Sequence, residues 1–443
     1  MINKHLSTML LLVFLPSCGS GSSSSSDSNN TQPIEYQFKL SAQQTNRCGQ
    51  QVAFNQFELH LQDDNWQLID KYTADANGQV SFATEQEYIN YTIIAKYQQG
   101  AEEEGLDITS YHHANTTTSA SYVATYDNLL DTSTCECVTQ DIELQHRSFS
   151  VIDSVSSSFS YESWHSTDSQ NTYFTNAEIC RLIDDEWPIH SIAIRGLDTN
   201  NGAIGVASIL NDFGSNTEGL WQSAAIEVAD NVPLSSEHAA FNMMQEFANG
   251  EHFYVESSED DTELLVFNTH PYTSESIHYA RTSHIFDHLD TIFGQSTFAS
   301  YHQIKSTMND EATSVSAETE QPDIDYTNFS ELAADGSYDY SAVSGYPLVD
   351  ISFSYQVSSA SITTPINWTM YGPIKGILAS SVQLAGFEDT ITPDTDIQNT
   401  EINIIKSLTT NNYDDYIYYY QGNTDSDFAN DLQSFQLELV RNF

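Results

Sequence analysis

Apolar and polar residues alternate with a period of two along most of this chain, and that rhythm predicts a mainly β protein. Phe57-Glu58-Leu59-His60-Leu61 alternates, and Trp66-Gln67-Leu68-Ile69 follows a polar turn at Asp63-Asp64-Asn65. From Tyr72 to Phe82 an Asn77-Gly78 turn opens into an alternating strand, and Tyr88 to Tyr97 reads as the next one. Cys135 to Leu144 reads as the strand that closes this first region, and Phe149 to Tyr161 alternates again. Ile189 to Arg195 and Ala203 to Leu210 predict a hairpin across Asp198 to Gly202. His252 to Glu256 and Leu264 to Asn268 predict another across Ser257 to Asp261. Six further candidates end the chain: Leu348 to Val357, Ile366 to Tyr371, Gly376 to Leu384, Glu401 to Ser407, Asp415 to Tyr420 and Phe435 to Val440. Turn residues space them as in a sandwich.

One stretch breaks the rhythm. Between Leu234 and Gly250, Ser235 or Ser236 suits an N-cap and Glu237 suits the first turn. Ala239, Ala240, Met243, Met244 and Phe247 keep helical spacing until Gly250. A short helix over 235–249 is therefore predicted within the β framework.

The vocabulary agrees with strands. The chain has 25 Tyr and 22 Phe, and its 39% hydrophobic content is enough to build packed cores. The expected fold class is mainly β, as tandem β-sandwich-like domains with a short helical insertion in the middle region. The expected boundaries are a sandwich at 34–146, a β-rich middle domain at 147–307, a polar acidic linker at 308–325 and a C-terminal sandwich-like domain at 326–443. Within the first, Thr73, Asp75, Asn77, Gly78, Val80 and Phe82 approximate a Thr-Asp-x-x-Gly-x-Phe-x-Phe turn, with one extra residue between Thr and Asp. Residues 52–97 thereby resemble the transthyretin-like, carboxypeptidase-regulatory-like β-sandwich of bacterial surface proteins. That resemblance implies a structural or binding module and carries no catalytic residue.

The N-terminus has its own logic. Lys4 and His5 precede the apolar run Met9 to Leu15, which is too short to span a bilayer. Leu15-Pro16-Ser17-Cys18 then resembles the lipobox of Gram-negative lipoproteins. The resemblance implies that residues 1–17 are a signal peptide, that Cys18 is lipidated, and that Gly19, in place of aspartate, directs the protein to the outer membrane. Residues 18–33, rich in Ser and Gly, have the composition of a flexible tether. An acylated cysteine carrying more than one chain anchors stably where one chain would not.

Charge narrows the partners. With 13 Lys+Arg against 62 Asp+Glu the net charge is −49, a field that repels nucleic acid and other polyphosphates. The carboxylates are spread along the whole chain, as in a solvating surface adapted to salt. Clusters recur at Glu102-Glu103-Glu104, Asp184-Asp185-Glu186, Glu259-Asp260-Asp261, Asp394/Asp396 and Asp425/Asp427. Calcium is the ion they would suit, although none has full loop spacing.

Export to an oxidising compartment favours disulfides among Cys48, Cys135, Cys137 and Cys180. Cys135 and Cys137 point to opposite faces of a strand, so each is expected to bond elsewhere, one to Cys48 and the other to Cys180. His284 and His288 would share a helical face and are the metal candidates, but Ile285 stands where zinc hydrolases carry glutamate. The adjacent pair His112-His113 is poorly placed for one ion. No nucleophile elbow, phosphate loop or CxxC motif occurs in the region after the tether. The expectation is a lipid-anchored, non-enzymatic envelope protein that binds or organises glycan or envelope-protein partners. The alternative is a metal-dependent secreted hydrolase with its site in the middle region, around His270 to His288.

Overall fold

The computed structural model describes residues 34–98, 105–126, 135–146, 149–168, 170–188, 190–198, 200, 202–210, 221–223, 227–228, 230–233, 242–246, 252–256, 263–266, 277–291, 294–307, 317–322, 336–358, 363–379, 384–391, 395, 397–423 and 426–441. It is mainly β. The strands are β1 (Tyr36–Thr45), β2 (Gln51–Ala53), β3 (Phe57–Gln62), β4 (Leu68–Thr73), β5 (Gln79–Thr84), β6 (Tyr88–Tyr97), β7 (Gly105–Asn115), β8 (Ser119–Ala124) and β9 (Cys135–Gln145). Next come β10 (Val151–Ser157), β11 (Ser163–Asp168), β12 (Asn171–Leu182), β13 (His190–Leu197), β14 (Ala203–Leu210), β15 (Trp221–Ser223), β16 (Glu227–Val228), β17 (Asp230–Pro233), β18 (Asn242–Glu246), β19 (His252–Glu256) and β20 (Glu263–Val266). The last are β21 (Ile277–Thr291), β22 (Gly294–Thr307), β23 (Ser337–Asp339), β24 (Leu348–Ser358), β25 (Thr363–Pro373), β26 (Lys375–Ile377), β27 (Ile397–Ser407) and β28 (Asp431–Arg441). Among the described residues the α-helix α1 (Tyr413–Tyr420) and a 3-10 turn at Asp427–Asn430 precede the final strand.

Three apolar clusters organise these strands. In the first, Phe38, Leu40, Val80 and Phe82 of the β1–β5 pair face Leu59, Tyr91 and Ile93 of β3 and β6, with no side chain more than 7% exposed. The third cluster joins Ile142, Leu144 and Phe174 of β9 and β12 to Ile192, Ile194 and Val206 of β13 and β14. Both are two sheets closed over an apolar layer, the sandwich arrangement. The second cluster lies on one face of a long sheet and is capped by Tyr338, Tyr346, Leu378 and Leu384.

That sheet has twelve strands, ordered β19-β18-β21-β22-β28-β27-β24-β25-β7-β6-β3-β4. Neighbours are antiparallel except at β25–β7, a parallel pair in register from Ile366↔Leu106 to Tyr371↔Tyr111. The sheet thus runs through segments from all three folded regions expected from the sequence. Likewise β9, expected to close the first sandwich, pairs with β12 and β15.

Local chemistry explains the turns. Asn46, Asp63, Asp75 and Asp198 each accept, through Oδ1, the backbone N–H groups two and four residues on. The fourth turn position is left-handed: Gly49 at φ +77°, Gly78 at +70°, and Trp66 at +60°. A Cβ at Gly78 would meet Ala42 O at 2.4 Å, so glycine is required there. Trp66 accepts the strain because its side chain is buried and its Nε1 donates to Ile377 O at 2.8 Å.

Three sequence expectations fail for identifiable reasons. Asn242–Glu246, within the predicted helix, is strand β18, paired on one side with β19 and on the other with β21. Residues 234–241 and 247–250 lie outside the described residues. Because β18 takes β19, the predicted partner of β19 is left to others, and β20 pairs with β17 instead. Conversely, Asp415 to Tyr420, read as strand, lies in α1 (Tyr413–Tyr420). Asn412 caps it by accepting from Asp414 N, Asp414 and Asp415 sit in its first turn, and buried Tyr416 and Ile417 form its inner face. Among the described residues no helix is long and apolar enough to cross a membrane.

Candidate functional site

Opposite the second core, the long sheet packs on the first core over β3, β6 and β7 and turns polar over β24, β27 and β28. On β24, Val349, Ile351 and Phe353 enter the core, and Asp350, Ser352 and Ser354 alternate to the opposite side. On β27, Ile402 and Ile404 enter the core, and Asn399, Glu401 and Asn403 alternate away. On β28, Phe435 and Leu437 do so against Gln436 and Glu438. Register aligns these positions into rows across the strands. One row reads Thr369, Ser352, Glu401, Glu438 and Thr297, and the next Tyr371, Asp350, Asn403, Gln436 and Ala299.

The rows are hydrogen-bonded to one another. Asn403 Nδ2 donates to Asp350 Oδ1 at 2.7 Å and to Glu401 Oε1 at 2.8 Å. Gln436 Nε2 donates to the same Glu401 oxygen at 2.6 Å, and Asn399 Nδ2 donates to Glu438 Oε1 at 3.2 Å. Beside them the Arg281 guanidinium lies 4.1 Å over the Tyr301 ring. These side chains are half-buried apart from Asp350, which is buried, while Ile285 and Val440 on the same face are 53% and 42% exposed.

Electrostatics follow from this packing. Burial pushes Asp350 up to about 7; Asn403 opposes the shift and the Glu401 charge adds to it. Tyr301 is raised by burial and by Glu401 and Glu438, against Arg281. Among the described residues neither glutamate forms an ion pair. Carboxylates, amides, hydroxyls and an aromatic ring on one face can engage the hydroxyls and C–H surfaces of a sugar chain.

Of the described residues singled out from sequence, His288 alone takes a register position at this face. Cys18 lies outside the described residues, as do Glu102-Glu103-Glu104, Glu259-Asp260-Asp261, Asp394, Asp396, Asp425 and His270. The disulfides are Cys48–Cys135 and Cys137–Cys180, so Cys135 and Cys137 each bond elsewhere. Cys137, Glu178 and Cys180 also come within 4.8 Å of one another, but both sulfurs are consumed in the disulfide. His284 and His288 lie on strand β21 and not on a helix. A bulge between Ile285 and Asp287 sets His284 opposite Ser300 and His288 opposite Thr297, positions of opposite parity. The register position of His288 lies in the row of Glu438. His112 and His113 keep their rings 5.9 Å apart, with His112 beside Tyr413 and His113 stacked on Tyr88 at 4.4 Å.

No protein-family model and no curated protein matches the chain. Among solved structures, the major pilin subunit BcpA of Bacillus cereus is similar at 8% identity, over 65% of this chain and 100% of that chain, with a TM-score of 0.13. That likeness carries no argument about fold or function.

Proposed function

We propose that this chain is a lipid-anchored protein of the outer membrane, non-enzymatic, whose polar sheet face binds glycan. Three features support the address: the apolar run ending at Cys18, the Ser-rich tether after it, and a folded part that contains disulfides. The transthyretin-like resemblance of residues 52–97 adds the precedent of a surface binding module. The observation that carries the reading is the face built from Tyr301, Glu401, Asn403, Gln436 and Glu438. Strand alternation would let those positions be arbitrary polar residues. They instead form a connected amide and carboxylate array with a cation-backed aromatic ring beside it and exposed Ile285 and Val440 at its margins.

The test has two arms. Palmitate labelling of cells expressing the full chain should be lost in Cys18→Ala. Calorimetric titration of the folded part with a panel of neutral oligosaccharides should find at least one ligand, with affinity reduced at least 10-fold by Tyr301→Ala or Gln436→Ala. Binding that neither substitution weakens would place the ligand elsewhere, and absence of binding across the panel would remove the glycan reading.

A further inference from the structure

Asp350 is 6% exposed and stands where α1 meets the polar face. The groups that face it come from three elements. β25 contributes Tyr371, β27 contributes Asn403 and Glu401, and α1 contributes Tyr416 and Tyr420. Beyond Tyr371, β7 carries Tyr111 and Asp107. Among the described residues no cation pairs with Asp350, and its donor is the Asn403 amide. The Tyr416 hydroxyl is committed to Val349 O at 2.6 Å and that of Tyr111 to Tyr420 O at 2.8 Å. Tyr371 stacks on Tyr420 at 4.2 Å, which seats the C-terminal turn of α1 on the sheet.

We propose that Asp350 is a proton-operated latch that couples the seating of α1 to the arrangement of the polar face. The same Asn403 nitrogen donates to Asp350 and to Glu401, and Glu401 is bonded in turn to Gln436. With Asp350 protonated, α1 closes over a neutral group and Asn403 and Gln436 are held in place around Glu401. With Asp350 ionised, a buried charge without a counter-ion lies beneath α1, and two anions compete for one amide. The helix loosens and the amides of the face lose their shared anchor. Burial, the chief cause of the upward shift to about 7, sets the change inside the physiological range. Ligand binding should therefore be stronger below that pH than above it. This last consequence rests on the proposal that the face is the binding surface.

The experiment uses hydrogen exchange on the whole folded chain, corrected for intrinsic rates, between pH 5.5 and 8.5. α1 amides in wild type should lose at least 10-fold protection across a step near pH 7. Asp350→Asn, an isostere of the protonated acid, should abolish the step, and Glu401→Gln should move its midpoint to lower pH. No step in wild type, or an unchanged step in either variant, overturns the latch. Oligosaccharide titrations at the two pH extremes separate the two ideas. A step in exchange with no ligand at either pH leaves the latch and removes the binding face. Binding of equal strength at both pH values with flat exchange does the reverse.

Discussion

Glu401 and Glu438 are directly opposite each other on β27 and β28, the placement that sheets avoid for like charges. A side chain kept for binding should cost stability, so Glu438→Gln is expected to stabilise the protein while weakening its ligand. Opposed Cβ atoms lie about 5 Å apart, which puts the carboxylates at roughly 6 Å. In a solvent-like dielectric that separation gives about 0.7 kcal/mol of repulsion. Glutamine keeps an oxygen to accept from Asn399 Nδ2, so the hydrogen bond need not be lost. The assay is urea unfolding followed by tryptophan fluorescence, at low salt and at 1 M NaCl. At 1 M the screening length is about 3 Å, and the gain should fall to about 0.1 kcal/mol. Because the whole molecule is acidic, any lost charge relieves some general repulsion. Glu85→Gln at an exposed turn is the control and should gain no more than a few tenths of a kcal/mol. A Glu438→Gln gain no larger than the control, or one that persists in 1 M NaCl, refutes the claim that the two carboxylates are held together at a cost.

Other outcomes follow from particular contacts. Burial, helped by the charge of His113, lowers His112 to about 4, so the fold holds it neutral. Its contribution is complete above about pH 6.5 and is lost as pH falls toward 4, at most about 3 kcal/mol. Asp350 has the opposite sign over a similar window, since its raised value favours the fold at low pH. The effect must therefore be read as the difference between wild type and His112→Gln in urea midpoints at pH 4.5 and 7. Gly422 has φ +84°, and a Cβ there would lie 2.1 Å from Ser121 Oγ, so Gly422→Ala should cost about 1–3 kcal/mol and raise hydrogen exchange in α1. Cys137→Ser with Cys180→Ser opens a link across a sequence separation of 43 and should cost about 2–4 kcal/mol, measured as a lower thermal midpoint.

The sequence disclosed strands well where alternation was local. Tyr88–Tyr97 and His252–Glu256 have the expected bounds, and the β13–β14 hairpin closes over Asp198 to Gly202 as its turn residues require. What was not legible depended on partners. Asn242–Glu246 has apolar spacing that fits either period, and pairing with β19 and β21 settles it as strand. Tyr413–Tyr420 carries buried aromatic spacing that a helix shares with no strand, but the β preference of tyrosine masks it until Asn412 is recognised as a cap. The candidate site was invisible for a related reason. Glu401-Ile402-Asn403 and Gln436-Leu437-Glu438 each show alternation, yet only the β27–β28 register puts their polar halves side by side. The histidine spacing misled because a single bulged residue at Phe286 reverses parity between His284 and His288.

The parallel β25–β7 pair leads to a last prediction, about residues 34–146 on their own. Sequence patterning treats this stretch as a self-sufficient sandwich, but its core borrows from the far end of the chain. Leu348, Ile405, Tyr416, Ile417 and Phe428 are all buried in the cluster that holds Phe38, Leu59 and Tyr91. At about 1.5–3 kcal/mol for each fully buried side chain, those five contribute roughly 7–15 kcal/mol. A domain's entire net stability is about 5–15 kcal/mol. Polar closure is shared as well, since Gln421 Nε2 donates to Tyr91 OH at 2.9 Å and Ser121 N donates to Gln421 O at 2.7 Å. Cutting the chain after residue 146 would expose the β7 edge that β25 covers and leave Tyr91 and Tyr111 facing water. The fragment should therefore show no cooperative urea transition and should bind a hydrophobic dye, and adding residues 336–441 in trans should restore the transition. A fragment that unfolds cooperatively alone would mean that the first sandwich closes over itself and that the long sheet is an assembly of independent parts.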